Sequence, residues 1–312
     1  MTPEHVSVGS RVSVLLTGFV ALDVLHVDGS TRGSRYRAGG TAGNVAAILG
    51  ALGWQAMVAG PRQTSVVSQL AVGDFERCGV SYHGVYDQAF PVVVEHLQTG
   101  QSHRFSFTCP HCGNRFPTYE RASGNSIGIA PLLLGRDVFF VDRLFPGVVE
   151  AAGSARENGT LIVYEPSDPD DHPWSSDMLA LSDIVKYSSD REGRLPWLNG
   201  ACRSLVVRTD GANGSAWRWA DRGVHDWILL PANASDRIVD TCGAGDWMTA
   251  GLLMGLVEQV GAGYHEIQRD QINNAVLAAQ KLATWSCGFA GARGALYDAG
   301  PREARRQLWG QN

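Results

Sequence analysis

The sequence predicts an α/β fold: a mostly parallel central sheet flanked by helices, with a small β lid. Three observations predict it. The apolar run Asp137–Asp142, a helical stretch to about Asn158 and a second apolar run over Gly159–Pro166 have the strand–helix–strand rhythm of a parallel sheet. Phe90–Leu97 and His103–Thr108 alternate apolar and polar residues around Thr99-Gly100, as a hairpin does. A glycine-rich loop over residues 240–246 stands between a short apolar run, Arg237-Ile238-Val239, and a small-residue helix with no proline before Val260.

The composition suits a soluble domain with a sizeable core. The chain has 312 residues, 44% of them hydrophobic and 18% charged, with a net charge of -5. That balance argues against a nucleic-acid or membrane-surface partner. Positive charge comes almost wholly from arginine, since Lys186 and Lys281 are the two lysines. No apolar run reaches membrane-spanning length and no leader peptide is read at the N-terminus, so the expected setting is cytoplasmic. Six scattered cysteines in a chain this long do not read as a disulfide framework.

Taken in order, Val12–Leu16 is the first strand, ending at Thr17-Gly18, and Asp23 follows it. Val24–Arg37 alternates weakly around Asp28-Gly29 and forms one part of the lid. Gly39-Gly40 then opens an alanine-rich helix containing Asn44 and ending at Leu52-Gly53. Ala56–Gly60 is a second core strand, followed by a helix over about Thr64–Cys78. The hairpin of residues 90–108 completes the lid. After the strands at 137–142 and 159–166 come further strands at Ser182–Lys186 and Leu205–Thr209, the latter ending in Asp210-Gly211-Ala212-Asn213-Gly214. Trp217, Trp219 and Trp227 continue a short β section. Ile272–Gln280 is a helix of small residues carrying Asn274, and Gly288–Gly294 is a loop.

The chemistry concentrates in Asp240-Thr241-Cys242-Gly243-Ala244-Gly245-Asp246. Two glycines separated by an alanine let the backbone approach a ligand. The N–H groups at the start of the following helix favour an anion. A carboxylate beside a phosphate is costly unless it acts, and taking a proton from an attacking hydroxyl is the evident act. The alternative is a tight turn with Asp246 as a cap.

This D-T-x-G-A-G-D string resembles the signature of the ribokinase-like, PfkB-type carbohydrate kinase family. Gly39-Gly40 and Asn44 resemble that family's G-G-x-x-x-N-x-A segment. The resemblance implies a ribokinase-like three-layer sandwich, one domain over residues 1–312, with its lid drawn from about 24–38 and 90–108. It implies transfer of a phosphoryl group from ATP, with magnesium, to a hydroxyl of a sugar or nucleoside. By position, Asp246 is the base, and Gly243, Ala244 and Gly245 form an anion hole. Asp23, Gly39, Gly40 and Asn44 bind the acceptor. Lys186, Thr209, Gly211, Gly214 and Asn274 fall at nucleotide positions, and pairing of lids into a homodimer is implied too. No G-x-x-x-x-G-K-[ST] string is present, which argues against a P-loop kinase.

Two departures matter. Where the family has G-x-D-x-x-G, this chain has Gly60-Pro61-Arg62-Gln63-Thr64-Ser65. Where it has D-I-V-K-x-N-x-x-E, the last two polar positions are Ser188 and Arg191, flanked by Asp190 and Glu192. An arginine cannot hold a metal-bound water as a carboxylate does, although it could contact phosphate directly. These departures leave open a non-catalytic, ligand-binding descendant of a sugar kinase. A further oddity is Cys109-Pro110-His111-Cys112-Gly113. Its spacing suits half of a tetrahedral zinc site. His96, His103, His111 or a second subunit could supply the rest; a redox pair and a plain lid turn are the alternatives.

Overall fold

A computed structural model describes residues 11–27, 33–97, 104–121, 128–145, 147–167, 172–194, 204–235, 237–258, 264 and 266–310. The main sheet begins with β1 (Ser13–Thr17), whose five residues are all buried. β1 lies in the middle, parallel to both β4 (Gln55–Pro61) and β8 (Val138–Val141). Outward from β8 run β9 (Leu161–Tyr164), β10 (Ile184–Ser188) and β11 (Leu205–Thr209), all parallel. β12 (Ser215–Trp219) and β13 (Val224–Leu230) close that edge antiparallel. The opposite edge is β5 (Ser81–Tyr86), parallel to β4. The central strands are apolar on both faces, because helices cover both.

One helical layer contains α1 (Thr41–Ala51), α2 (Val66–Arg77), α5 (Ala244–Leu253), α6 (Arg269–Ser286), α7 (Gly294–Asp298) and α8 (Pro301–Trp309). The other contains α3 (Val148–Glu157) and α4 (His172–Leu181). Each layer has its own apolar cluster, one around Ile48, Phe75 and Trp247, the other around Phe139, Phe145 and Tyr164. α2 starts where Ser65 accepts a bond from the Ser68 N–H, at 3.2 Å. Small residues on α1 and α5 let the two helices approach closely, and this brings their N-termini together.

The lid is a separate four-stranded sheet, in the order β3-β2-β6-β7. β2 (Ala21–Val27) pairs antiparallel with β3 (Arg35–Gly39) and parallel with β6 (Val92–Leu97). β7 (Arg104–Ser106) is the outer edge, beside β6. The anticipated turns at Asp28-Gly29 and Thr99-Gly100 lie outside the described residues.

Two elements differ from the sequence reading. Arg237–Val239 is not a strand. Ile238 and Val239 are 55% and 41% exposed, and the N–H groups of Val239 and Asp240 both donate to the Cys287 carbonyl rather than to a sheet. β5 lies just beyond the expected helix, over residues to which the reading gave no element. Its alternation is weak because the strand borders the sheet, half exposed.

Candidate functional site

The site forms where the carboxyl ends of the parallel strands meet the start of α5, as open α/β sheets do with ligands. Gly243 caps α5 with φ 72°, a left-handed conformation that glycine adopts at no cost. A Cβ there would stand 2.6 Å from the Ala292 Cα, so the loop over 287–293 also demands glycine. Asp240 ties the two loops together. Its carboxylate accepts from the Cys242 N–H at 2.9 Å and from the Gly291 N–H at 2.7 Å. Trp247, fully buried, donates its indole N–H to the Ala292 carbonyl at 3.0 Å.

Asp246 therefore stands in the first turn of a helix whose start is locked on three sides. Its Oδ2 accepts from Asn44 Nδ2 at 2.8 Å. Asn44 itself is buried at the start of α1, and its Oδ1 finds no hydrogen-bond partner. The Asp246 carboxyl is pushed up from 3.8 to about 8. Burial is the main cause and the Glu165 carboxylate adds to it, while Asn44 and Lys186 oppose. A carboxyl so raised is a stronger base once ionised.

Beside it lies a cleft between the lid and the loop before α7, lined by Asp23, Leu25, Asn44, Glu95, Gly291 and Arg293. Gly40 enters α1 with φ 75°, and Gly39 packs directly on the Asp23 carboxylate, leaving no room for a side chain. Burial lifts Asp23 to about 6, against the pull of Arg293, the Gly40 N–H and the Asn44 amide. So the structure brings Asp23, Gly39, Gly40, Asn44 and Asp246 into one place. Arg293 fixes this wall by donating to Ala38 O and to Asp74 at 2.6 Å, with both charges buried. Burial raises Asp74, but Arg293 outweighs it and holds the carboxyl below its usual range.

Glu95 is a member of this cleft that the sequence reading missed. It lies on β6, 3% exposed, with Oε1 unpartnered. Burial, then Asp240 and Asp23, push its carboxyl up to about 9, so it is neutral at pH 7. The alternation of β6 marks residue 95 as facing one side; nothing in the sequence says that side is a cleft.

Thr209, Gly211 and Gly214 lie at and just beyond the carboxyl end of β11. Ser188 is the register partner of Thr209, and the Asp210 N–H donates to the Gly214 carbonyl at 2.8 Å. Lys186 does not face this surface. It is 2% exposed, paired with Glu165 at 2.7 Å, and donates to the Gly245 carbonyl at 3.0 Å. Thr249 completes the cluster by donating to Glu165 at 2.6 Å. Lys186 thus holds the glycine turn from beneath. Arg191 donates to the Pro166 carbonyl at 3.3 Å, and Glu192 accepts from Tyr187 and Arg208, at 2.8 and 3.2 Å. Asn274 is exposed on α6; its neighbour Asn273 turns inward to bind the Trp217 indole at 2.8 Å.

Cys109 and Cys112 lie on a turn beyond β7. Among the described residues no group of three or more His, Cys, Asp or Glu is placed to hold a metal ion. Among them, too, no helix is long and apolar enough to cross a membrane.

The chain matches the model of the pfkB family of carbohydrate kinases over residues 20–298. No curated protein matches it. Among solved structures it is similar to a putative ribokinase from Agrobacterium tumefaciens, with TM-score 0.70 and 17% identity over 97% of this chain and 100% of that one. It is similar to the adenosine kinase of Sinorhizobium meliloti, with TM-score 0.71 and 18% identity over 96% and 99%. A third is the aminoimidazole riboside kinase of Salmonella enterica, solved with aminoimidazole riboside and an ATP analog; its TM-score is 0.66, at 19% identity over 95% and 99%. At such identities the structural likeness shows the ribokinase-like fold. The family match carries more, since it spans both the Gly39–Asn44 segment and the glycine turn before Asp246. The chain belongs to the pfkB family of carbohydrate kinases and is a phosphotransferase.

Proposed function

We propose that this kinase transfers the ATP γ-phosphoryl group to a hydroxyl of a sugar or nucleoside, with Asp246 as general base. The observation that carries the reading is the placement of Asp246: a desolvated carboxyl, oriented by Asn44, in the first turn of a helix capped by a left-handed glycine. The acceptor hydroxyl sits between Asp23 and Asp246 and passes its proton to Asp246 as its oxygen attacks phosphorus. The backbone N–H groups of Gly243, Ala244 and Gly245 face the charge that develops on the phosphoryl oxygens. Asp23, Asn44 and the Gly39-Gly40 backbone hold the acceptor in line. Lys186 and Glu165 fix the glycine turn rather than touch phosphate.

Thr209, Gly211 and Gly214 border the nucleotide, and Arg191 reaches its phosphates. Magnesium fits as an ion carried mainly by phosphate and water, since the described residues form no protein cage for it. When bound, it neutralises charge between the β- and γ-phosphates. The test is ATP consumption with magnesium across a panel of sugars and nucleosides, with Asp246→Asn as control. Phosphorylation that vanishes in the variant supports the reading. Silence across the panel while ATP still binds favours a ligand-binding descendant instead.

A further inference from the structure

The Cys109–Cys112 turn plays no part in phosphoryl transfer, yet it is one of the most sharply built pieces of the lid's rim. The chain leaves β7 and returns as a narrow hairpin. The Phe116 N–H donates to Phe107 O at 2.7 Å, Thr108 and Arg115 form an antiparallel bridge, and the Cys109 N–H donates to Asn114 O at 2.8 Å. At its tip the Gly113 N–H donates back to Cys109 O at 3.0 Å, with Gly113 at φ 75°. Two cysteines with two residues between them, on a tight glycine-closed tip, are one half of a tetrahedral zinc site.

The other half is not supplied by this chain's described residues. His111 packs edge-on against His26 and His26 against His96, at 5.6 and 5.8 Å between ring centres. Those contacts dock the turn onto the lid. His96 Nε2 and His26 Nδ1 are engaged by Ser106 and Ser34, at 2.9 and 3.1 Å. Among the described residues no set of three potential ligands forms. The turn is open to outside: Cys112 is exposed, and Phe105 and Phe107 beside it are 50% and 38% exposed on the sheet's edge. A second copy of this turn, met tip to tip across a two-fold axis, would supply the two missing ligands.

We propose that Cys109 and Cys112 of two copies of this chain bind one zinc ion between them, through four thiolates, and so join the two lids. Each ligating thiol gives up its proton to solvent as its sulfur–zinc bond forms; nothing is oxidised or reduced. The link lies on the lid face bearing His96. Glu95, the preceding residue, faces the cleft on the other side.

The test uses the full chain, purified under reducing conditions with zinc supplied and excess metal removed. Metal content is measured by atomic emission and mass by light scattering. The expected result is one zinc per two chains in a dimer. Cys109→Ser and Cys112→Ser should each lose the zinc and weaken self-association at least ten-fold, while keeping a cooperative thermal transition. Cobalt in place of zinc should show the absorption of a tetrahedral thiolate site. Should the variants fail to fold, the metal-to-chain ratio and the cobalt spectrum of the unaltered protein still decide. Protein without zinc, a monomer holding one zinc per chain, or a dimer that survives zinc removal would each overturn the proposal.

Discussion

Asn44 and Asp246 stand 202 positions apart in the chain, yet the amide of one donates to the carboxylate of the other at 2.8 Å. The bond joins the starts of α1 and α5. It orients the Asp246 carboxylate, while the Asn44 Oδ1 has no hydrogen-bond partner.

Asp246→Asn should lower kcat by roughly 10²–10⁴-fold, the usual share of a general base. KM for ATP should stay within a few-fold, because the glycine turn and its anchors survive. Steady-state assays with the best acceptor check this; unchanged turnover would remove Asp246 from the base's role.

The raised Asp246 carboxyl sets a pH profile. The ionised form is the active one, so kcat/KM should rise with pH and level off above about 8. Glu165→Gln removes a neighbouring negative charge while keeping a partner for Lys186 and Thr249, and should move the profile to lower pH. A profile flat from pH 6 to 9 would contradict this.

Stability runs the other way. Asp246 holds its proton in the folded state up to about pH 8 and in the unfolded chain only to about 3.8. The folded state therefore binds more protons between those values, and its stability falls as pH rises through the window. Asp246→Asn escapes that loss. Its melting temperature should exceed the wild type's by more at pH 8 than at pH 4, by calorimetry.

Glu95, neutral up to about pH 9, should tolerate glutamine as a near-isostere. Glu95→Ala should raise KM for the acceptor more than KM for ATP, since the freed cleft wall faces the acceptor alone. Equal effects on both would assign Glu95 to folding only.

Arg293 and Asp74 are a buried ion pair at 2.6 Å. Arg293→Met strands a buried carboxylate and should cost about 3–5 kcal/mol of stability by denaturant unfolding. A change near zero would mean that Arg37 and Arg77 already neutralise Asp74.

The glycine turn, the Gly39–Asn44 segment and the parallel sheet were legible because each depends on local chemistry: small residues, spacing and apolar runs. The surroundings of Lys186 were not legible, because Glu165 and Thr249, which pack around it inside the protein, lie on segments distant in sequence. Glu95 was illegible because its burial is a property of the lid against the loop at 291–293, two segments far apart in sequence. Arg237–Val239 has strand residues, yet the Val239 N–H bonds the Cys287 carbonyl rather than a strand, which composition does not reveal.

The long separation of Asn44 from Asp246 also has a meaning in time. A ribosome adding ~5–20 residues per second needs about 10–40 s to pass from one to the other. During that interval the emerging chain has Asn44 but neither Asp246 nor Arg293. A chain broken off within it lacks the carboxylate on which the proposed transfer depends.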